Sequence, residues 1–327
     1  MSFVGGGTDV ASFYREHGGA VISAAIDKYV YVTVNGKFDG QVRVSYSRTE
    51  NVACAGEVEH PIACAALLRT YVESGVEITS VADVPSHGTG LGSSSAYCVG
   101  LLNALHVYRG HDRGPMALAE EACAIEIEDL REPIGKQDQF ACAFGGVNFL
   151  RFNANGLVDV RPLMMPPSIQ RTLMLFYVGG GRAASTVLTA QQERSTANVK
   201  GLKAMLRLVD WLRRDFSAIG PVMHEAWMIK RTLAPGISTD EIDGMYSLAR
   251  AAGATGGKIL GAGGSGFLLL CAPLDRHEAI CQSLSSLRRV PFSFDFIGSR
   301  IVYREEGSCG YSSRAEPGSS AATSATG

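Results

Sequence analysis

The chain has 327 residues, a formal net charge of −2, 46% hydrophobic residues and 19% charged residues. The apolar share excludes a wholly disordered protein, and the near-neutral balance argues against a dedicated nucleic-acid binder. No apolar run approaches the roughly 20 residues of a membrane-spanning helix. The start, MSFVGGGTDV, lacks the basic and apolar regions of a secretory signal. The 8 cysteines form no CxxC pair and read as small buried hydrophobes of a reducing compartment, the cytoplasm. His224 and Glu225 begin an HExxH-like string, but Met228 takes the second histidine position, which disfavours zinc.

In chain order, AAIDKYVYVTVN (24–35) is β-branched and aromatic and ends at Asn35-Gly36. It predicts a strand entering a turn, with QVRVSYS (41–47) as its hairpin partner. A helix is expected over 59–75 and an alternating strand over 76–85, stopping at Pro85. The Gly/Ser loop HGTGLGSSSA (87–96) then enters a segment without charge until Arg109, a buried helix ended by Gly110. Pro115 opens a second helix with Leu118, Ala122 and Ile125 on one face. Strands are expected at 145–152 and 171–179, helices over 185–216, 222–233 and 239–252. A strand, glycine turn and strand follow over 256–272, then a helix over 277–287 and a last strand over 293–303. The helix over 199–216 is basic and amphipathic, but Leu202, Met205, Leu206, Val209 and Leu212 make an ordinary core stripe. Hairpins mixed with helices predict an α+β fold. The Pro-rich 163–168 stretch is the expected lobe boundary, and the Ser-, Ala- and Gly-rich 306–327 segment a disordered tail.

Three glycine loops stand out: GGGTD (5–9), GTGLGSSSA (88–96) and GAGGSGF (261–267). The second has the chemistry of a phosphate cradle. Glycine lets backbone N–H groups approach an anion, and the following helix directs its N-terminal N–H groups and dipole at it. Ser93, Ser94 and Ser95 can cap that helix or ligate Mg²⁺. A Walker A loop fails, because Gly257-Lys258 is followed by Ile259 and the first required glycine is Ala252. GAGGSG satisfies GxGxxG but leads into a strand, so it reads as a turn within a hairpin. Among the acidic residues, periodicity does not choose between Glu126 and Glu128, and Asp138 reads equally as a site carboxylate or a turn residue. Arg182, after three glycines, fits a phosphate-binding fork or a surface residue.

These residues resemble the GHMP kinase superfamily. Its phosphate loop has the form P-x-x-x-G-L-G-S-S-A, and this chain runs from Pro85 to Ala96 with one extra residue before Gly90 and one extra serine. GAGGSG matches the late glycine motif. Within the superfamily the strings FVGGGTDV, HGGAVISAAIDKYVYVTV and GKQDQFACAFGGVNF are similar to sugar kinases of the heptose 7-phosphate type. The resemblance implies a two-lobed α+β fold, with a ribosomal-protein-S5-like lobe over 1–165 that binds ATP, Mg²⁺ and sugar. A ferredoxin-like lobe over 166–305 would complete it. It implies Asp138 as the catalytic carboxylate and Ser94 with Glu126 as metal ligands. Pro85, Gly88, Gly90, Leu91, Gly92, Ser93, Ser94, Ser95, Gly263 and Gly264 would hold the nucleotide. Thr8, Asp9 and Arg182 would bind the sugar substrate. The expected partners are ATP and a sugar phosphate, not nucleic acid or a membrane, with a homodimer left open. Relatives enter GGGTD from a strand resembling A-P-L-R-I-S-F. Here that strand is cut to Ser2-Phe3-Val4 and its Arg would fall before Met1, which implies a truncated first strand and weak turnover. The rival readings are a galactose- or fucose-type sugar-1-kinase and a non-catalytic nucleotide-binding protein on the same fold.

Overall fold

Strand β1 (Ser2–Val4) pairs antiparallel with β2 (Gly19–Ala24), and helix α1 (Ala11–His17) lies between them in sequence. The computed structural model describes residues 1–85, 90–180, 187, 189, 190 and 194–305. Strands β3 (Val30–Gly36), β4 (Val42–Ser45), β5 (Thr49–Val52) and β6 (Val76–Ala82) form a second sheet in the order β3-β6-β4-β5. The hairpin expected between 24–35 and 41–47 therefore does not form. β6 lies between its two arms, antiparallel to β3 and parallel to β4. Burial explains the order: Val42, Val44, Val76 and Ile78 are all fully buried, so β4 and β6 put their apolar residues on one core face. β3 alternates between half-buried and exposed residues and takes the sheet edge.

Helices cover that core face. Helix α2 (Pro61–Arg69) is shorter than expected, and α3 (Ser93–Tyr108) is the predicted buried helix, with Leu101, Leu102 and Leu105 inaccessible. Helix α4 (Pro115–Cys123) continues into a π-helical turn over Ala124–Asp129. Helix α5 (Gln137–Phe144), which the sequence reading left without structure, packs Phe140 and Ala143 into the same core. Strands β7 (Val147–Phe152) and β8 (Val158–Pro162) then complete the first sheet, ordered β1-β2-β7-β8.

After the Pro-rich stretch come α6 (Pro167–Arg171) and β9 (Leu173–Gly179), which joins a third sheet. Fully described helices of this half include α7 (Ser195–Arg214), α8 (Ile219–Lys230), α9 (Asp240–Ala251) and α10 (His277–Ser283). With β10 (Gly256–Ile259), β11 (Gly266–Cys271) and β12 (Arg288–Arg289) the third sheet is ordered β10-β11-β9-β12. The 256–272 unit is the antiparallel strand-turn-strand expected from its glycines. The α7 stripe faces inward, with Leu202, Met205, Val209 and Leu212 buried. No strand forms over 293–303. Phe294 makes one bridge to Ile26, and Asp295 then accepts from Ile297 N and pairs with Arg300. Gly298 (φ +73°) turns against Ala143 O and the Gly145 N–H, so the chain bends where the alternation suggested extension. The expected 306–327 tail lies outside the described residues.

One core cluster joins the two halves. Phe3, Val4 and Ile22 from the first sheet pack with Val209, Val222, Leu260 and Leu269 from the second half.

Candidate active site

Three segments far apart in sequence, two of them glycine loops, line one cleft. Its walls include Gly6, Gly7 and Asp9, then Gly135, Gln137 and Asp138, and from the second half Lys230, Gly261 and Ala262. Gly261 meets Gly90 in a backbone contact. A Cβ on Gly261 (φ +65°) would lie 2.2 Å from Gly90 Cα, and one on Gly90 (φ +70°) 2.4 Å from Leu260 O. Only glycine on both sides lets the two loops touch.

Gly92 (φ +72°) precedes α3 in the left-handed conformation and provides no side-chain cap. The first-turn N–H groups and the positive end of the helix dipole suit an anion there. Beside this terminus lies Asp138: a Cβ on Gly92 would be 3.1 Å from its Cγ. Asp138 stands in the first turn of α5 and lines the cleft. Burial pushes its carboxyl above the ordinary range, while nearby cations, Lys230 and Lys258 among them, pull it back.

Glu126 is 1% exposed, whereas Glu128 faces solvent, so the fold makes the choice that periodicity left open. The π-helical turn carries Glu126 to the α3 terminus. Its carboxylate accepts from Ser94 Oγ at 2.6 Å, Ser95 Oγ at 2.8 Å and Gln139 Nε2 at 2.6 Å. Burial raises its pKa and these three donors oppose the rise. Gln139 Oε1 is buried without a hydrogen-bond partner among the described residues. Hard oxygen donors and an unspent polar atom fit a hydrated Mg²⁺, which keeps several waters and draws further ligands from phosphates. Among the described residues no group of three His, Cys, Asp or Glu could hold a metal alone.

Asp9 is 2% exposed; its carboxylate accepts from Gly7 N at 2.9 Å and Gln137 N at 3.2 Å. Desolvation raises its pKa to about 6, against those two hydrogen bonds. Gly135 exists for this residue, because a Cβ there would lie 1.9 Å from Asp9 Oδ2.

Two expectations are corrected. Thr8 is fully buried, its hydroxyl placed between Gly5 O (2.8 Å) and Ala20 O (2.9 Å) and accepting from Ala20 N (3.1 Å), so it braces the GGGTD turn and offers nothing to a substrate. Gly263 and Gly264 are turned onto Ile237: Gly264 N donates to Ile237 O at 2.9 Å, and a Cβ on Gly263 would lie 2.5 Å from that oxygen. The late-motif residues in the cleft are Gly261 and Ala262 instead. Of the remaining loop residues, Pro85 is exposed, and Leu91 is half-buried and packs on the core shared by the two halves. Gly88 and Arg182 lie outside the described residues. Sequence reasoning missed Lys230. The signal was available: Ile219, Val222, Met223, Ala226 and Trp227 form the buried stripe of α8, and Lys230 is its next member.

The GHMP kinases N terminal domain family matches residues 59–146, and the GHMP kinases C terminal family matches 202–287. The chain is a GHMP kinase. This GHMP kinase is 29% identical over 320 residues to D-glycero-alpha-D-manno-heptose 7-phosphate kinase of Campylobacter jejuni, spanning 90% of this chain and 94% of that protein. Its structure is similar to that of a D-glycero-D-manno-heptose 1-phosphate kinase from Bacteriodes thetaiotaomicron, with TM-score 0.69 and 25% identity, covering 91% and 94% of the two chains. A Streptococcus pneumoniae phosphomevalonate kinase shares the fold at TM-score 0.72 and 11% identity, covering 90% and 97%. The first matched domain contains the 90–95 loop, Glu126 and Asp138, and the second contains Lys230 and Gly261. No helix among its described residues is long and apolar enough to cross a membrane.

Proposed function

We propose that the protein is an ATP-dependent kinase of the anomeric hydroxyl of D-glycero-D-manno-heptose 7-phosphate, yielding the 1,7-bisphosphate. The observation that carries this reading is that Asp9 and Asp138 line one cleft and that Asp138 abuts Gly92 at the α3 terminus. The likeness to the Campylobacter protein supports the choice of sugar.

The 90–95 segment would hold the nucleotide phosphates with backbone N–H groups and the dipole of α3. Glu126 and Ser94 would hold Mg²⁺, which supplies charge neutralisation at the phosphates when bound. Asp9, its two oxygens fixed by backbone N–H groups, accepts from sugar hydroxyls and orients the ring. Asp138 receives the proton of the acceptor hydroxyl. A bond forms from that oxygen to the γ-phosphorus, and the bond from phosphorus to the β–γ bridging oxygen breaks, leaving its electron pair on ADP. The elevated basicity of Asp138 suits the proton transfer. Arg182 is the candidate for the sugar's own phosphate through its planar fork. The protein works in the cytoplasm, where ATP and sugar phosphates are available.

Asp138→Asn tests this. Turnover falls by about 100-fold or more while ADP binding stays within about threefold. Turnover within about threefold of the original protein would contradict the role of Asp138.

A further inference from the structure

Lys230 is the one basic side chain among the described residues that line the cleft, and it comes from the second half of the chain, at the end of α8. It is 6% exposed, so nearly all of a strongly hydrated ammonium has been removed from water. That is costly unless the charge is paired, yet among the described residues no carboxylate oxygen lies within 4.0 Å of it. Its Nζ donates to Gly261 O. An ammonium carries three donors, and this is the one acceptor it meets among the described residues. Asp9 and Asp138 attract it from across the cleft without touching it.

Lys258 shows the contrast. It is equally buried, but its Nζ donates to Ser2 O at 2.9 Å and Ser2 Oγ at 3.4 Å, tying β10 to β1, and it does not line the cleft. That is a lysine used as a strut. Lys230 instead holds one donor on the carbonyl of Gly261, whose backbone abuts Gly90 of the phosphate loop, and keeps the others for the cleft.

We propose that Lys230 is a catalytic residue that donates to the non-bridging oxygens of the phosphoryl group as it passes from nucleotide to acceptor. The assignment rests on the kinase reading of this cleft and adds a cation supplied by the second half. A phosphoryl group in flight spreads negative charge over its equatorial oxygens, and a fixed, desolvated ammonium stabilises that charge more than it stabilises bound ATP. Lys230 takes no proton in the step. Its bond to Gly261 O fixes the ammonium relative to the phosphate loop.

The test is calorimetric titration of MgADP with and without aluminium fluoride, a mimic of the group in transit, on the original protein and on Lys230→Met and Lys230→Gln. Gln keeps a donor for Gly261 O and guards against a variant that fails to fold. In the original protein aluminium fluoride tightens ADP by about tenfold or more. Both variants lose that tightening while binding ADP alone within about threefold, and kcat drops about 100-fold. Tightening in either folded variant equal to that of the original would overturn the assignment. Failure of the kinase reading looks different: the original protein would not bind MgADP at all. Normal trapping without phosphorylation of any sugar would discard the sugar and leave Lys230 in place.

Discussion

Asp9, Asp138 and Lys230 are the charged side chains among the described residues that line the cleft, and each has its pKa displaced chiefly by loss of water. Asp9 is raised to about 6 and Lys230 lowered to about 8. Below the first value Asp9 gains a proton and its ability to accept from a sugar hydroxyl declines; above the second Lys230 loses its charge. A plot of kcat/KM for the sugar against pH is therefore expected to be bell-shaped, with limbs near about 6 and about 8. Asp138 is close enough to Asp9 for the acid limb to belong to the pair. A profile flat from about pH 5 to about pH 9 would contradict this account. The same burial carries a stability cost. Asp9 binds its proton more tightly folded than unfolded, so its contribution to stability falls as pH rises from 3.8 to about 6. The site is thus held ionised at working pH against the preference of the fold.

At the scale of elements, two glycine turns act as a clamp, since Gly90 and Gly261 are in backbone contact. Gly261→Ala adds a methyl 2.2 Å from Gly90 Cα at a φ of +65°. Neither backbone can yield cheaply, so the variant is expected to lose about 1–3 kcal/mol of stability and to weaken ADP binding about tenfold. Unchanged affinity by titration would separate the late motif from the nucleotide site. Much of this was legible in the sequence. Glycine composition marked all three loops, and the uncharged run after Ser95 marked α3. What the sequence hid was long-range choice. The Asn35-Gly36 turn suggested a hairpin, but β6 lies 40 residues downstream and displaces the local partner because Val76 and Ile78 share a core with Val42 and Val44. Local propensity contains no term for that competition. Periodicity left Glu126 and Glu128 undecided for a related reason: a π-helical turn shifts the register that a 3.6-residue period assumes. Thr8 looked like a ligand because it stands beside Asp9 in the motif, while its own hydroxyl is spent inside the turn.

The whole molecule shares one apolar seam between its halves, with Phe3 and Ile22 packed beside Leu260 and Leu269. The cleft lies across the same join: Asp138 comes from one side and Lys230 from the other. Positions in the site therefore depend on the seam. Phe3→Ala, at a fully buried ring, is expected to cost about 3–5 kcal/mol, and calorimetry should show one cooperative transition moving down as a unit. Two resolved transitions, with only one shifted, would mean that the halves are energetically independent. A product screen tests the reaction itself. Protein, ATP and Mg²⁺ are incubated separately with heptose 7-phosphate, galactose, fucose, mannose and mevalonate, and the products are read by mass spectrometry. The account predicts a heptose bisphosphate and no other new phosphate ester. Phosphorylation of a free hexose or of mevalonate, with the heptose phosphate unchanged, would contradict it.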